Sequence, residues 1–183
     1  MGLVGSAGAL AAAEVVLGGL PADLEAPVVV VIHLDPNYES KLAAILARRT
    51  VLSVKQAEPE DVLVDGRVFV APPGAHLLVT ADHRLELGHG PPVRLLRPSI
   101  DVFLTSFALA YGGGALAVLL SGAGHDGAAG AAAVRLAGGK VIAQDKETSD
   151  FFGIAGAAIE EGGVDEISPA RGLATAIVAF VRA

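Results

Sequence analysis

The sequence predicts an α/β fold: a three-layer α/β/α, doubly wound, mostly parallel sheet carrying an antiparallel hairpin insertion. Three observations lead there. Short β-branched runs alternate with helix-forming stretches along nearly all 183 residues, joined by short loops, which is the pattern of repeated β-α units. The run Val28-Val29-Val30-Val31-Ile32 is continuously β-branched, as expected of a parallel strand covered on both faces. Between residues 62 and 96 the turn pairs Asp65-Gly66, Pro72-Pro73-Gly74 and Asp82-His83 crowd together, and they separate short alternating pieces in the manner of hairpins.

The elements follow in order. Gly2-Leu3-Val4 reads as a first strand, Gly5-Ser6-Ala7-Gly8-Ala9-Leu10 as a glycine-rich turn, and residues 11–17 as a helix. After the second strand, residues 39–49 have helical periodicity with Leu42, Ile45 and Leu46 on one face, and residues 51–54 form a short strand. The hairpin region offers Val68-Phe69-Val70, residues 76–79 and residues 84–87 as strands. Alternation then resumes with helices over 100–111, 126–136, 152–160 and 172–181, and strands over 115–120, 140–143 and 164–167. The stretch 102–124 carries no charge, but Gly112-Gly113-Gly114 divides it into pieces too short to span a bilayer. It is read as a buried helix, a turn and a buried strand.

The chain suits one domain over residues 1–183, large enough to bury roughly two thirds of its unfolded surface. Hydrophobic residues make up 52% and charged residues 18%, which argues against disorder. A net charge of −7 without any basic run argues against nucleic acid as a partner. There is no cysteine, so disulfides and thiolate metal sites are excluded, and any nucleophile is an oxygen or a nitrogen. The first residues lack the pattern of a signal peptide. The expectation is a soluble, cytoplasmic protein with no direct membrane insertion.

In a doubly wound sheet, sites form beyond the carboxyl ends of the strands. There the sequence places Ser6 after the first strand, His33 after the second, and Ser121-Gly122-Ala123-Gly124-His125-Asp126-Gly127 after the strand at 115–120. A serine hydroxyl needs a base to take its proton, a neutral imidazole is suited to that task, and a carboxylate on the other ring nitrogen fixes the tautomer. Each residue also has a plainer reading: Ser6 and Asp126 as helix caps, His33 as a hydrogen-bonded residue ending a buried strand. The turn is not a G-x-S-x-G elbow, because Val4 stands two residues before Ser6. A nucleotide-binding module is a rival, since Gly2, Gly5 and Gly8 echo a phosphate turn and Asp35 follows the second strand. The spacing G-x-x-G-x-x-G is a weak match to it. A metal site built from His33, Asp35, His125 and Asp126 would leave the serine without a role.

Five segments carry a family resemblance: Gly5-Ser6-Ala7-Gly8; Val31-Ile32-His33-Leu34-Asp35-Pro36; Val70-Ala71-Pro72-Pro73-Gly74-Ala75-His76; Arg97-Pro98-Ser99-Ile100-Asp101; and Leu120-Ser121-Gly122-Ala123-Gly124-His125-Asp126-Gly127-Ala128. In register and nearly end to end, they resemble the catalytic domain of CheB, the chemotaxis receptor protein-glutamate methylesterase. The resemblance implies a catalytic triad of Ser6, His33 and Asp126. The chain departs from the family pattern at Ala9, Ala123, His125 and Gly153-Ile154-Ala155, without losing a triad member.

The resemblance also implies hydrolysis of methylated glutamate side chains of a methyl-accepting receptor with release of methanol, and a related deamidation of glutamine, with no metal and no cofactor. On this reading N–H groups of Ala7, Gly8, Gly122, Ala123 and Gly124 receive the oxyanion. Arg97 lines the substrate cleft or makes a salt bridge at a helix entry. His76 is structural, while His83 and His89 are exposed in turns. The family's receiver domain is not expected in this sequence, and a separate receiver or methyltransferase protein is a candidate partner that the sequence does not decide. An esterase or scaffold acting on a partner outside chemotaxis keeps the same fold.

Overall fold

The computed structural model describes residues 1–183. Six helices and nine strands alternate: β1 (Gly2–Gly5), α1 (Ala9–Gly18), β2 (Val28–Ile32), α2 (Leu42–Leu46), β3 (Ser53–Gln56), β4 (Arg67–Val70), β5 (His76–Val79), β6 (Leu85–Gly88), α3 (Ile100–Tyr111), β7 (Leu116–Leu119), α4 (Ala128–Leu136), β8 (Lys140–Gln144), α5 (Gly153–Glu160), β9 (Glu166–Ser168) and α6 (Ala170–Val181). Seven strands form one sheet in the order β3-β4-β2-β1-β7-β8-β9, and every pairing in it is parallel. β5 and β6 make a separate antiparallel hairpin. The α/β expectation from the sequence holds.

Alternation along the central strands divides the core in two. Val4, Val29, Val31, Phe69, Ala117 and Leu119 face one layer, where they meet α3, α4, α5 and the hairpin residues Leu77, Val79 and Leu85. Leu3, Val28, Val30, Val68, Val70, Leu116 and Val118 face the other, against α1, α2 and α6. Burial on both faces is why these strands read as unbroken apolar runs. No helix of the chain is long and apolar enough to cross a membrane.

Several boundaries differ from the sequence reading. Val68-Phe69-Val70 is not a hairpin piece: as β4 it sits between β2 and β3 in the parallel sheet, with all three side chains buried. Its turn-rich flanks suggested a hairpin, yet three successive apolar residues mark burial on both faces. The helix expected over 39–49 shrinks to α2, because the Ser40 hydroxyl accepts the Leu42 N–H at 3.1 Å and the helix begins only after that turn. The strand expected over 51–54 starts at Ser53, since Thr50 Oγ1 accepts the Leu52 N–H at 3.2 Å and turns the chain first. The helix expected from residue 126 begins at Ala128, leaving Asp126 outside it.

α3 and α4 approach so closely that a Cβ on Gly130 would lie 2.6 Å from Leu104 Cβ and 3.2 Å from Asp101 Cα. Gly130→Val therefore forces the two helices apart, and overpacking of this kind costs about 1–3 kcal/mol. The expected readout is a thermal unfolding midpoint lowered by several degrees.

Candidate active site

Ser6 leaves β1 on a tight turn. Its carbonyl accepts the Ala9 N–H at 3.0 Å, and Gly8, at φ 78° and ψ −7°, supplies the left-handed residue that a type II turn needs at its third position. His33 follows β2 directly, and its N–H donates to the Gly5 carbonyl at 3.2 Å, which holds its backbone alongside the serine turn. Asp126 lies in the loop from β7 to α4. Because β1 sits between β2 and β7, the three loops emerge side by side.

Their side chains form a continuous chain of hydrogen bonds. Ser6 Oγ lies 3.0 Å from His33 Nδ1, and His33 Nε2 lies 2.7 Å from Asp126 Oδ2. The His33 side chain is 12% exposed and that of Asp126 only 2%, so the carboxylate is sealed beneath a partly accessible imidazole. Three donors from the start of α3 complete its shell: Ser99 Oγ at 2.8 Å, the Ile100 N–H at 2.6 Å and the Asp101 N–H at 3.1 Å. Burial pushes the Asp126 carboxyl up, but the hydrogen bonds from His33, Ile100, Ser99 and Asp101 outweigh it and hold the carboxyl down at about 2. The Ile100 and Asp101 N–H groups are first-turn donors at the positive end of α3.

An ionised carboxylate only accepts. The proton between the two groups therefore rests on Nε2, and the Nδ1 lone pair faces the Ser6 hydroxyl. Chymotrypsin-type triads use the two ring nitrogens the other way round, but the chemical capability is the same: an alcohol beside a neutral imidazole whose tautomer is fixed from behind.

Two further residues support the carboxylate. Asp101, in the first turn of α3, accepts the N–H groups of Gly127 and Gly130 at 2.8 Å each. Each helix thus lends its N-terminal donors to a carboxylate carried by the other's segment. Burial, together with the neighbouring Asp126 charge, raises the Asp101 carboxyl against the hydrogen bonds from Gly130 and Gly127. His76 is buried; its Nδ1 accepts the Ser99 N–H at 3.2 Å, and its Nε2 donates to the Pro91 carbonyl at 3.1 Å. From the sequence, Ser99 and Asp101 enter only as part of the segment Arg97-Pro98-Ser99-Ile100-Asp101, and neither is assigned a contact with Asp126. The signal for more was present, since Ser-x-Asp ahead of an apolar helix is a rich source of first-turn acceptors.

The other singled-out residues divide. The N–H groups of Ala7, Gly8, Ala123 and Gly124 donate to no acceptor within the protein, whereas the Gly122 N–H donates to the Phe151 carbonyl at 2.9 Å. Gly122 is therefore unavailable as an oxyanion donor, contrary to the expectation. It is small for another reason, because a Cβ there would lie 3.1 Å from Ser6 Cβ and 2.3 Å from Ile154 Cδ1.

Arg97 makes no salt bridge. Its Nη1 donates to the Gly90 carbonyl at 2.9 Å, its Nε is buried without a partner, and it lines a hollow of about 220 Å³ with His33, Leu34 and Leu95. A larger hollow of about 730 Å³ borders Gly124 and His125, with Arg94 and Lys146 on its wall. His125 is exposed, and so are His83 and His89. The phosphate-turn reading fails on packing: Gly2 lies within β1, where a Cβ would sit 2.8 Å from the Phe103 ring, and a Cβ on Gly5 would meet Ala9 at 2.5 Å.

Comparison with known proteins gives a consistent result. Residues 1–177 match the family model described as CheB methylesterase. The protein-glutamate methylesterase/protein-glutamine glutaminase 2 of Anaeromyxobacter dehalogenans is 43% identical over 164 residues, covering 90% of this chain and 48% of that protein. The protein-glutamate methylesterase/protein-glutamine glutaminase of Archaeoglobus fulgidus is 39% identical over 183 residues, covering 98% and 52% respectively. The chain thus spans about half the length of the curated relatives it matches. The crystal structure of the Thermotoga maritima CheB methylesterase catalytic domain superposes with a TM-score of 0.93 at 34% identity, covering 97% of this chain and 96% of that one. The chain belongs to the CheB methylesterase family.

Proposed function

We propose that this protein is a serine hydrolase that removes methyl groups from methylated glutamate side chains of chemotaxis receptors, releasing methanol. The observation that carries the reading is the unbroken chain Ser6–His33–Asp126, at 3.0 Å and 2.7 Å, on adjacent strand ends of the sheet. The names of its relatives supply the substrate class.

In the proposed reaction His33 Nδ1 takes the Ser6 proton as Oγ attacks the ester carbonyl. The oxyanion is met by N–H groups drawn from Ala7, Gly8, Ala123 and Gly124; one such donor is worth about 3–4 kcal/mol. The imidazolium, stabilised by Asp126, then protonates the departing methanol. Water repeats the cycle on the acyl-enzyme with the same base. A glutamine side chain presents the same carbonyl with ammonia as leaving group, so deamidation needs no further part. Residues 1–183 act as one catalytic unit in this scheme, and Arg97 lines the entrance beside His33.

Ser6→Ala is expected to lower turnover by about 10⁶-fold, the loss seen on removing such a nucleophile, measured as methanol release from a methylated receptor with a small aryl ester as control. Retention of a tenth of the wild-type rate would show that Ser6 is not the nucleophile. Asp126→Asn keeps the shape but no longer selects the Nε2–H tautomer, so kcat is expected to fall by about 10⁴-fold.

The depressed Asp126 pKa also makes a stability prediction. Its contribution is fully present above the ordinary value of 3.8 and is lost as pH falls through about 2, on the order of 2 kcal/mol in all. Thermal unfolding of the wild type should therefore weaken between pH 4 and pH 2 by more than that of Asp126→Asn. Parallel profiles for the two proteins would contradict this account of the carboxylate.

A further inference from the structure

Ser121 is buried and is not a member of the Ser6–His33–Asp126 chain, yet every one of its polar groups is committed to a neighbouring strand end or loop. Its carbonyl accepts the Ser6 N–H at 3.0 Å. Its N–H donates to Gln144 Oε1 at 2.9 Å, from the end of β8. Its hydroxyl accepts the Phe151 N–H at 3.0 Å and donates to the Ala7 carbonyl at 2.8 Å. The Phe151 carbonyl, at 3.3 Å, is the poorer acceptor for that single proton, being already paired with the Gly122 N–H at 2.9 Å.

The bond to Ala7 falls on the central peptide of the serine turn. Type I and type II turns share the same closing hydrogen bond and differ by a half rotation of that peptide. Here the Gly8 backbone, at φ 78° and ψ −7°, places the turn in the type II form. Within a trans peptide the C=O and the following N–H point in opposite directions. With the Ala7 carbonyl turned inward to Ser121, the Gly8 N–H is turned outward, and it is spent on no acceptor in the protein. In the type I form the same space would hold the Ala7 carbonyl oxygen, which repels a developing negative charge.

We propose that Ser121 is a positioning residue for the oxyanion donors: its hydroxyl holds the Ala7–Gly8 peptide in the orientation that directs the Gly8 N–H away from the core and toward the reacting carbonyl. The proposal rests on the hydrolase reading above and extends it to a residue that touches neither His33 nor substrate. It also gives Gly8 a second reason to lack a side chain, since a Cβ there would lie 2.6 Å from Ser121 Oγ.

The test is steady-state hydrolysis of p-nitrophenyl acetate, with phenylboronic acid as an inhibitor that mimics the tetrahedral adduct. It compares wild type, Ser6→Ala, Ser121→Ala and Ser121→Cys, each checked by thermal unfolding. The thiol fills the space of the hydroxyl but is a weak donor. The expected result is a kcat lower by on the order of 10²-fold in both Ser121 variants, as for loss of an oxyanion donor. KM should stay within about threefold of wild type, and boronate inhibition should weaken in parallel with kcat. Wild-type kcat in either folded Ser121 variant, a loss confined to KM, or failure of both variants to fold cooperatively would overturn the assignment. Turnover that survives Ser6→Ala, or a wild type inert both to these reagents and to a methylated receptor, would instead overturn the hydrolase reading and the role of Ser121 with it.

Discussion

The site depends on burying one carboxylate at the N-terminus of α3. A desolvated Asp126 would be costly without partners. Instead it receives the His33 ring N–H, the Ser99 hydroxyl and two first-turn N–H groups, so it stays ionised in an interior position. That ionisation fixes the proton on His33 Nε2 and leaves Nδ1 open to Ser6. The arrangement is mutual, because Asp101 on α3 performs the same service for the start of α4. The helix pair that carries the carboxylate is thereby locked in register. Gly130 then permits the close approach, since no side chain stands between it and Leu104.

The parallel sheet does the rest of the positioning. Gly5 pairs in register with Ile32, and Val4 with Leu119, so the chains that leave β1, β2 and β7 end at one level. Each loop then needs only one short turn to present its residue. Ser6 rises on the Gly8 turn, His33 emerges straight from the strand, and Asp126 hangs back toward α3 before α4 begins. The hairpin of β5 and β6 closes the arrangement from the α3 side, where His76 accepts the Ser99 N–H and so supports the carboxylate through its cap.

Much of this was legible in the chain itself. The β-branched run Val28–Ile32, the helical periodicity of Ile100–Tyr111 and the glycine punctuation fix which segments are strands and which are helices, because local steric preference and burial on two faces leave direct marks on composition. The positions of Ser6, His33 and Asp126 after strands, and the five segments resembling the CheB family, follow from residue order alone. Tertiary packing decided what that order leaves open. Whether Val68-Phe69-Val70 joins a hairpin or the parallel sheet depends on which distant strand pairs with it. Whether the Gly122 N–H is free depends on where Phe151 falls. Which ring nitrogen of His33 faces Ser6, and the exchange of carboxylates between α3 and α4, depend on contacts across more than twenty residues of chain, where one sequence is compatible with many pairings and only the packed core selects among them.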